Sequence, residues 1–166
     1  TLGSSMTDFW NSMKDLSVHV ETLGSRQTTI QDAVTLAKNF SDTATNLRTY
    51  RKDINEEVAT QVGQINELLD KLAILNGAIV DIESGGITGV IANDLRDDRG
   101  RLLGQLSEYI DIDAVEEPNG SVTVSVAGRA MVYRDQVYGL DRKQEKIGDL
   151  NCHVVVFGRD QLPVNL

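Results

Sequence analysis

Carboxylates, two histidines and one cysteine are the side chains of this sequence that could take part in chemistry. Three aspartates cluster at the start of a predicted helix, at Asp94, Asp97 and Asp98. Carboxylates bind hard cations such as Ca²⁺ when several of them converge on one point. Asp94 and Asp98 share a helix face, but no histidine accompanies them and the spacing is not that of an EF-hand. We therefore interpret the cluster as helix-start and surface charge, and we predict no metal site.

The remaining acids and the histidines do not form a catalytic pattern. Asp111 and Asp113 lie at the start of a predicted strand with both carboxylates on one face, which is typical of a solvated edge. His19 and His153 lie far apart in the sequence, and neither has a serine or cysteine partner in a nucleophile motif. Cys152 precedes His153 directly, but adjacent strand residues point to opposite faces. The sequence therefore predicts no enzyme, no catalytic residue and no cofactor.

The single cysteine and the glycines are interpreted structurally. One cysteine excludes an internal disulfide and zinc sites of the multi-cysteine kind. We expect Cys152 to be a small buried apolar residue beside the run Val154–Phe157. Gly85, Gly86 and Gly89 lack the Lys-Ser/Thr pair and the preceding strand of a phosphate-binding loop.

Composition and charge narrow the functional classes further. The chain has 166 residues, a net charge of −9 and 5% aromatic residues. A net negative charge disfavours nucleic acid and anionic membrane surfaces as partners, because both require a positive face. No apolar run reaches 18 residues, so no transmembrane helix is predicted. The few aromatic residues favour a helical bundle built from Leu, Ile, Val and Ala.

The elements that must position these residues are organised around one long stretch, residues 26–83. Apolar residues alternate there at spacings of three and four, which places one apolar seam along a helix and requires a partner. The seam is Ile30, Ala33, Ala37, Phe40, Ala44, Leu47, Arg51, Ile54, Val58, Gln61, Ile65, Leu68, Leu72, Leu75, Ile79 and Ile82. A helix of this length would form a rod of roughly 80 Å. For Arg51, a polar exception, we expect the stem to pack while the head reaches water.

Residues 2–23 repeat the same alternation and predict the partner for the first half of the seam. Ser5 and Asp8 fit a capping box, which predicts a helix from about Met6 to Val18. A break is expected at residues 23–25, with Ser25 capping the long helix. Met6, Phe9, Met13 and Leu16 belong to the apolar alternation of this first helix.

A third helix is predicted to pack on the second half of the seam. Asn93 is the expected cap and Asp94 lies in the first turn, where the helix dipole favours a carboxylate. The helix should end near Tyr109, and the residues expected to face inward are Leu95, Leu102, Leu106 and Ile110. Gly100 and Gly104, four residues apart, suggest close approach of another helix.

After Asp111 the pattern changes to that of strands. The turn Pro118-Asn119-Gly120 precedes residues 121–126, which alternate strictly and predict a half-buried strand. Residues 130–133, 137–140 and 154–157 predict further strands, and the charged residues 141–149 are interpreted as a loop. The predicted fold class is α+β, an elongated antiparallel helical bundle built on one very long helix and followed by a small β-rich domain. The predicted domains are 1–110 and 111–166, and the second does not close an obvious fold by itself.

Specific motifs lie in the second half of the long helix and in the third helix. They are Gln64-Ile65-Asn66, Leu72-Ala73-x-Leu75-Asn76-x-x-Ile79, Asn93-Asp94-Leu95-x-Asp97-x-Arg99-x-x-Leu102, Leu106-Ser107 and the strand Ile110–Asp113. These motifs resemble the flagellar hook-associated protein family of the hook–filament junction (FlgK family). Upstream, Asp8-Phe9-x-x-x-Met13-x-x-Leu16 and Arg26-Gln27 before Phe40 are also similar. The sequence departs from the family at Ala92, where proline is common, and at Gly100, where an acid is common.

The resemblance implies a structural, non-catalytic protein of the bacterial flagellum. It implies export by the flagellar type III apparatus without a cleaved signal, an extracellular location, and packing in a ring of identical subunits that joins hook to filament. The implied partners are copies of the protein, the hook protein, the second hook-associated protein and an export chaperone. The segment would lack the terminal helices and would be mostly monomeric.

Two alternatives remain open at this point. One is another axial protein, such as the second hook-associated protein or a flagellin-like protein. The other belongs to a different class, a signalling coiled-coil stalk. A stalk would dimerise through the seam and would contain no β-hairpin after the third helix.

Overall fold

The chain is an α+β protein, as the sequence predicts. A computed structural model describes residues 1–84, 91–148 and 150–164. The elements in chain order are α1 Leu2–Val18, α2 Leu23–Ser84, α3 Asn93–Ser107, β1 Asp113–Glu116, β2 Val122–Val126, β3 Arg129–Tyr133, β4 Gln136–Val137, β5 Leu140–Ile147 and β6 Leu150–Phe157. The residues group into two compact units, Thr1–Ile54 and Asn55–Leu166. The predicted glycine loop falls on residues 85–90 and so lies outside the described residues.

The first helix begins earlier than the sequence suggests. The capping residue is Thr1, whose hydroxyl accepts the backbone N–H of Ser4 at 3.3 Å, while the Ser4 hydroxyl accepts from the Thr1 amine at 3.1 Å. The predicted capping box at Ser5 and Asp8 is therefore wrong. Ser5 lies inside α1, is buried, and donates to the carbonyl of Leu2 at 2.9 Å. A serine one turn further along can satisfy the same pattern, so the two starts look alike in the sequence.

The corner between α1 and α2 lies at residues 19–22, and the break predicted at residues 23–25 is wrong. Ser25 does not cap α2 but donates its hydroxyl proton to Asp15 Oδ2 at 2.8 Å. His19 Nδ1 lies 3.0 Å from the other oxygen of Asp15. Hydrogen bonds from Ser25 and His19 lower the pKa of the Asp15 carboxyl. Asp15 therefore ties both sides of the corner together.

Helices α1 and α2 pack as an antiparallel pair through small polar residues. The hydroxyl of Thr29 donates to the carbonyl of Ser12 at 3.1 Å, while the Asp15–Ser25 bond lies nearer the corner. Ser5, Ser12 and Thr29 are the buried residues of this unit. Helix α1 is thus the partner of the first half of α2, as predicted, but the seam of α2 is covered only in part: Ala33 is half-buried, whereas Ile30 and Phe40 are exposed.

In the second unit, one core joins the helices to the strands. Its buried apolar side chains come from α2, α3, the β1–β4 sheet and the β5–β6 hairpin, and include Ile65, Leu72, Leu102, Leu106, Val124, Met131 and Phe157. The predicted inward residues Leu102, Leu106 and Ile110 are buried, and Leu95 is half-buried. In this half of α2 the seam residues Ile65, Leu72 and Ile79 are buried as predicted, whereas Ile82 is exposed.

Helix α3 differs from prediction at both ends and in its glycines. Asn93 is not the cap. Ala92 occupies the N-cap position, and it has no side-chain hydrogen bond to the first turn of the helix. The backbone N–H of Ala92 donates to Glu83 Oε1 at 3.1 Å. The helix ends at Ser107 instead of Tyr109. Gly100 and Gly104 are exposed, and no atom of another element lies within 4 Å of the position that a Cβ would take, so the expected close approach of another helix is wrong.

Strands β1 to β4 form an antiparallel sheet in the order β1-β2-β3-β4, and β5 pairs with β6 in a separate hairpin. Burial in β2 alternates as predicted. The predicted strand at 137–140 is divided between β4 and the start of β5. The predicted charged loop at 141–149 is wrong, since residues 140–147 form β5. Residues 141–146 are exposed on both faces, so no alternation of apolar and polar residues marked them as a strand.

Candidate interaction surface and polar clamps

The residues considered for chemistry do not converge in the structure. Asp94, Asp97 and Asp98 are exposed on α3, and Asp98 bonds to Arg101 at 3.0 Å. Across residues 1–84, 91–148 and 150–164, no group of three or more His, Cys, Asp or Glu side chains could hold a metal ion. His19 lies in the α1–α2 corner and His153 lies in β6, in different compact units. Asp111 and Asp113 are both exposed.

Cys152 and Arg51 differ from expectation in their burial. Cys152 is a free thiol, half-buried on β6 opposite Glu145, and not the fully buried residue that was predicted. Arg51 is half-buried, and its Nε and Nη1 are shielded from solvent with no hydrogen-bond partner among the described residues. The expectation that its head reaches water is wrong for these two atoms. Gln61 is exposed and donates to Glu57 at 3.0 Å.

The first unit has an uncovered apolar surface, which we call the apolar face. Its large side chains are Met6, Trp10 and Met13 of α1 and Ile30, Phe40 and Leu47 of α2. Trp10 is 64% exposed and Phe40 is 50% exposed. Soluble monomers rarely leave such contiguous apolar patches uncovered unless they bind something.

The position of the apolar face follows from the helix repeat. On α1 the buried and half-buried residues are Leu2, Ser5, Phe9, Ser12 and Leu16. On the first five turns of α2 they are Ser25, Thr29, Asp32, Ala33, Leu36 and Asn39. Most residues of the apolar face follow one of these buried or half-buried residues directly in the sequence. This holds for Met6, Trp10 and Met13 of α1 and for Ile30 and Phe40 of α2. One residue turns a helix by about 100°, and in an antiparallel pair the two turns lead to the same side. Met6, Trp10, Met13, Ile30 and Phe40 therefore share one side of the hairpin, whereas Leu47 lies five whole turns after Thr29 and continues the side on which Thr29 lies.

In the second unit, asparagines of α2 bind the backbone of the strands. Asn76 is 1% exposed. Its Oδ1 accepts the Val122 N–H at 2.9 Å, and its Nδ2 donates to the carbonyls of Val122 at 2.8 Å and Arg134 at 2.9 Å. A side-chain amide can pair with a backbone amide in this way because each offers one donor and one acceptor side. The start of β2 is thereby fixed to α2.

Two further asparagines of α2 repeat this contact. Asn66 Oδ1 accepts the Leu140 N–H at 2.7 Å, and its Nδ2 donates to the Leu140 carbonyl at 2.8 Å. Asn55 Oδ1 accepts the His153 N–H at 3.2 Å. Spacings of eleven and ten residues are close to three helical turns, so the three asparagines lie on one side of α2. We call these contacts the asparagine clamps. A side chain at Gly139 would collide with Asn66 Oδ1, 2.6 Å from a built Cβ.

An ion-pair network closes the same unit at the far end of α2. Arg96 donates to Glu83 through two bonds of 2.8 Å and to Glu116 at 2.6 Å. Arg99 is 4% exposed and donates to the Gly120 carbonyl at 2.6 Å and to Glu116 at 3.3 Å. The network therefore joins α2, α3, β1 and the turn before β2.

The electrostatics of this network follow from its geometry. Hydrogen bonds from Arg96 and the Ala92 N–H lower the pKa of Glu83 to about 2. Hydrogen bonds to Glu83 and Glu116 raise the pKa of Arg96. Burial lowers the pKa of Arg99, partly offset by Glu116. These charges hold elements together, and nothing in their arrangement offers a nucleophile or a proton donor to a substrate.

The sequence indicated three of these residues only as members of a motif, without a structural role. Asn66, Asn76 and Arg99 belong to the motifs that carried the resemblance, but their roles as clamps were not predicted. The available signal was the presence of asparagine on the buried side of a helix, where a polar residue needs a partner. None of the helices in the described ranges has the length and apolar character of a membrane span.

Comparison with known proteins agrees with these motifs. A family model described as the flagellar hook-associated protein FlgK helical domain matches residues 1–164. Flagellar hook-associated protein 1 of Bacillus subtilis is 26% identical over 148 residues, covering 89% of this chain and 28% of that protein. The Escherichia coli protein of the same name is 28% identical over 127 residues, covering 76% of this chain and 23% of that protein.

A solved structure shows the same fold. It is the flagellar hook junction protein FlgK from Burkholderia pseudomallei, with a TM-score of 0.81 and 21% identity. The match covers 96% of this chain and 28% of that one, so the chain spans about a quarter of the length of these relatives. By the match of its residues 1–164, the chain belongs to the family of the flagellar hook-associated protein FlgK.

Proposed function

We propose that this chain is part of a structural protein of the bacterial flagellum that links the hook to the filament by packing of subunits. Family membership supports this role, as do the names of the relatives, hook-associated protein 1 and hook junction protein. The protein acts as a building element and not as an enzyme. We further propose that it reaches the outside of the cell through the flagellar type III apparatus.

The apolar face is the observation that carries this proposal. Met13, Ile30 and Phe40 would contribute nothing to a protein that works alone, because exposed apolar surface is costly in water. In an assembled tube the same surface would be buried against a neighbouring segment. The proposed partners are copies of the protein, the hook protein and the second hook-associated protein, with an export chaperone before assembly.

Variants of the apolar face in the full-length parent protein test this function. Phe40→Asp and Leu47→Asp change exposed residues, so they should leave the unfolding of the chain nearly unchanged. They should nevertheless abolish swimming and cause loss of filaments, because a charge would be buried in the contact. Thr45→Asp, an exposed polar position on the same helix, is the matched control and should swim normally. Normal filaments on cells that contain both apolar-face variants would contradict the proposal.

A coiled-coil stalk is the second candidate, because an exposed apolar face also fits a dimer seam. The strands that follow α3 and share its core count against it. Light scattering after size exclusion separates the two: we expect a monomer, and a stable parallel dimer would favour the stalk. The division into domains 1–110 and 111–166 stays a prediction, as does the identity of the segment as one without the terminal helices.

A further inference from the structure

A small cavity in the β-rich part combines two arginines with two aromatic rings. Its volume is about 240 Å³, and its lining residues are Arg129, Ala130, Tyr138, Phe157, Arg159 and Asp160. The Arg129 guanidinium carbon lies 4.9 Å from the centre of the Phe157 ring. The Arg159 guanidinium carbon lies 5.1 Å from the centre of the Tyr138 ring. We call this site the arginine pocket.

Stacking on a ring orients a guanidinium group before any partner arrives. The flat face rests on the aromatic ring, while the N–H groups at the edge remain able to bind a carboxylate. A long arginine side chain that is already held in place loses less conformational freedom on binding. Arginine and tyrosine are also the residue types that dominate the energy of protein contacts.

The two arginines differ in whether a carboxylate of the same chain pairs with them. Arg129 bonds to the carboxylate of Asp160. Arg159 is exposed, and no carboxylate pairs with it among the residues that the structure describes. It lines a cavity in which a neighbouring carboxylate, that of Asp160, is already bound by the other arginine. The pocket therefore has the chemistry to take a carboxylate from outside.

We propose that the arginine pocket binds acidic side chains of a second copy of the protein. This inference rests on the proposed function, in which copies pack together. Residues 55–112 contain eleven Asp and Glu but four Lys and Arg, whereas residues 1–54 contain six of each. On α3, Asp94 and Asp97 are exposed and form no ion pair within the described residues.

The arrangement of the two surfaces fits an assembly of identical subunits. The pocket lies on β3, on β6 and on residues that follow β4 and β6, whereas most of the acidic residues lie on α2 and α3. A contact between two different surfaces of one chain is heterologous, and such contacts generate rings or helical tubes. Complementary charge also fixes the register between neighbours and disfavours incorrect ones.

Photo-cross-linking in flagella assembled from the full-length parent protein tests the contact. A benzophenone side chain replaces Ala130, an exposed residue that lines the pocket, so that both arginines stay in place, and in the control it replaces Arg142, an exposed arginine of β5. We expect position 130 to cross-link to a second copy at peptides from residues 55–112, and we expect no such product from position 142. Cross-links from position 130 to another protein, to other parts of the chain or to nothing would overturn the inference.

Charge variants give a second measurement. Arg159→Glu should reduce the number of attached filaments and Arg159→Lys should reduce it less, while Arg142→Glu should have no effect. The filaments that remain on the lysine variant should detach at lower salt than those of the parent, because exposed ion pairs are screened. Equal numbers of filaments for Arg159→Glu and Arg142→Glu would count against the contact. Absence of the protein from purified flagella would overturn the proposed function as well, whereas presence without the cross-link would overturn this inference alone.

Discussion

The apolar seam of α2 is buried in one compact unit and exposed in the other. In the second unit the seam residues Ile65, Leu72 and Ile79 are buried in a core of helices and strands. In the first unit the seam residues Ile30 and Phe40 are exposed. A heptad seam thus indicates that a helix face needs to be covered, but it does not say whether the chain itself provides the cover.

The buried polar residues of the two units also differ, in how far away in the sequence their hydrogen-bond partners lie. Asn76 and Arg99 bind backbone groups more than 20 positions away in sequence. Ser5 and Ser12 bind carbonyls of their own helix three residues back, and the third buried polar residue of this unit, Thr29, bonds to the neighbouring helix through one hydroxyl. Bonds between distant segments specify one tertiary arrangement, whereas bonds within a helix are compatible with many partners. The second unit is therefore built to hold its own shape, and the first is built to be completed by contact.

The largest expected difference between the units comes from placing a charge on the seam. Leu72 is 1% exposed, so Leu72→Asp would bury a charge without a partner and should cost on the order of 4–5 kcal/mol. Leu47→Asp changes an exposed seam position of the same helix and should stay within about 0.5 kcal/mol. Urea unfolding followed by circular dichroism measures both. Equal losses for the two variants would show that the two halves of the seam do not differ in this way.

A smaller difference should come from the buried polar residues. Asn76→Ala leaves buried groups of Val122 and Arg134 without partners and should cost about 3 kcal/mol. Thr29→Val removes a hydroxyl that donates to helix carbonyls and should cost about 1 kcal/mol or less. Urea unfolding gives both values, and hydrogen exchange at the Val122 amide should accelerate only in Asn76→Ala. An unchanged exchange rate there would mean that the Asn76 clamp does not hold β2.

The sequence predicted much of the fold where hydrophobic periodicity was strong. The long helix, α3 and β2 follow directly from spacings of three to four and of two, because one face of each is buried. Strand β5 could not be predicted in this way, since residues 141–146 are exposed on both faces and its pairing with β6 determines its conformation. Helix starts were also missed, because Ser5 and Ser25 suit capping as well as the threonines before α1 and α2, and because Asn93 suits it better than Ala92, which takes the cap position without a side-chain bond.

The candidate sites were less predictable than the fold. Most residues of the apolar face belong to the predicted alternation, but Trp10 does not, and the polar residues Ser12 and Thr29 lie between the helices instead. The clamps depend on strand positions that are 46 to 98 residues away in sequence. Long-range partners of this kind are set by topology, which spacing within one helix does not contain.

The smallest expected difference between the units is in how their stability depends on pH in the acidic range. The pKa of Glu83 is lowered to about 2 by its bonds to Arg96 and Ala92, and the pKa of Asp15 is lowered by Ser25 and His19. A carboxyl with a lowered folded pKa contributes stability that is fully present above its unfolded pKa, about 4.3 for Glu. That contribution is lost as the pH falls through the folded value.

The advantage of the parent chain over Glu83→Gln in urea midpoint should therefore shrink between pH 5 and pH 2. Asp15→Asn should show the same trend with a smaller amplitude, because the Asp15 side chain is 55% exposed and that of Glu83 is 16% exposed, so water screens it more. Asp97→Asn, at an exposed position of α3, is the control and should show no trend. If the difference in urea midpoint between the parent chain and Glu83→Gln stayed constant from pH 5 to pH 2, the Glu83 carboxylate would not stabilise the second unit through Arg96.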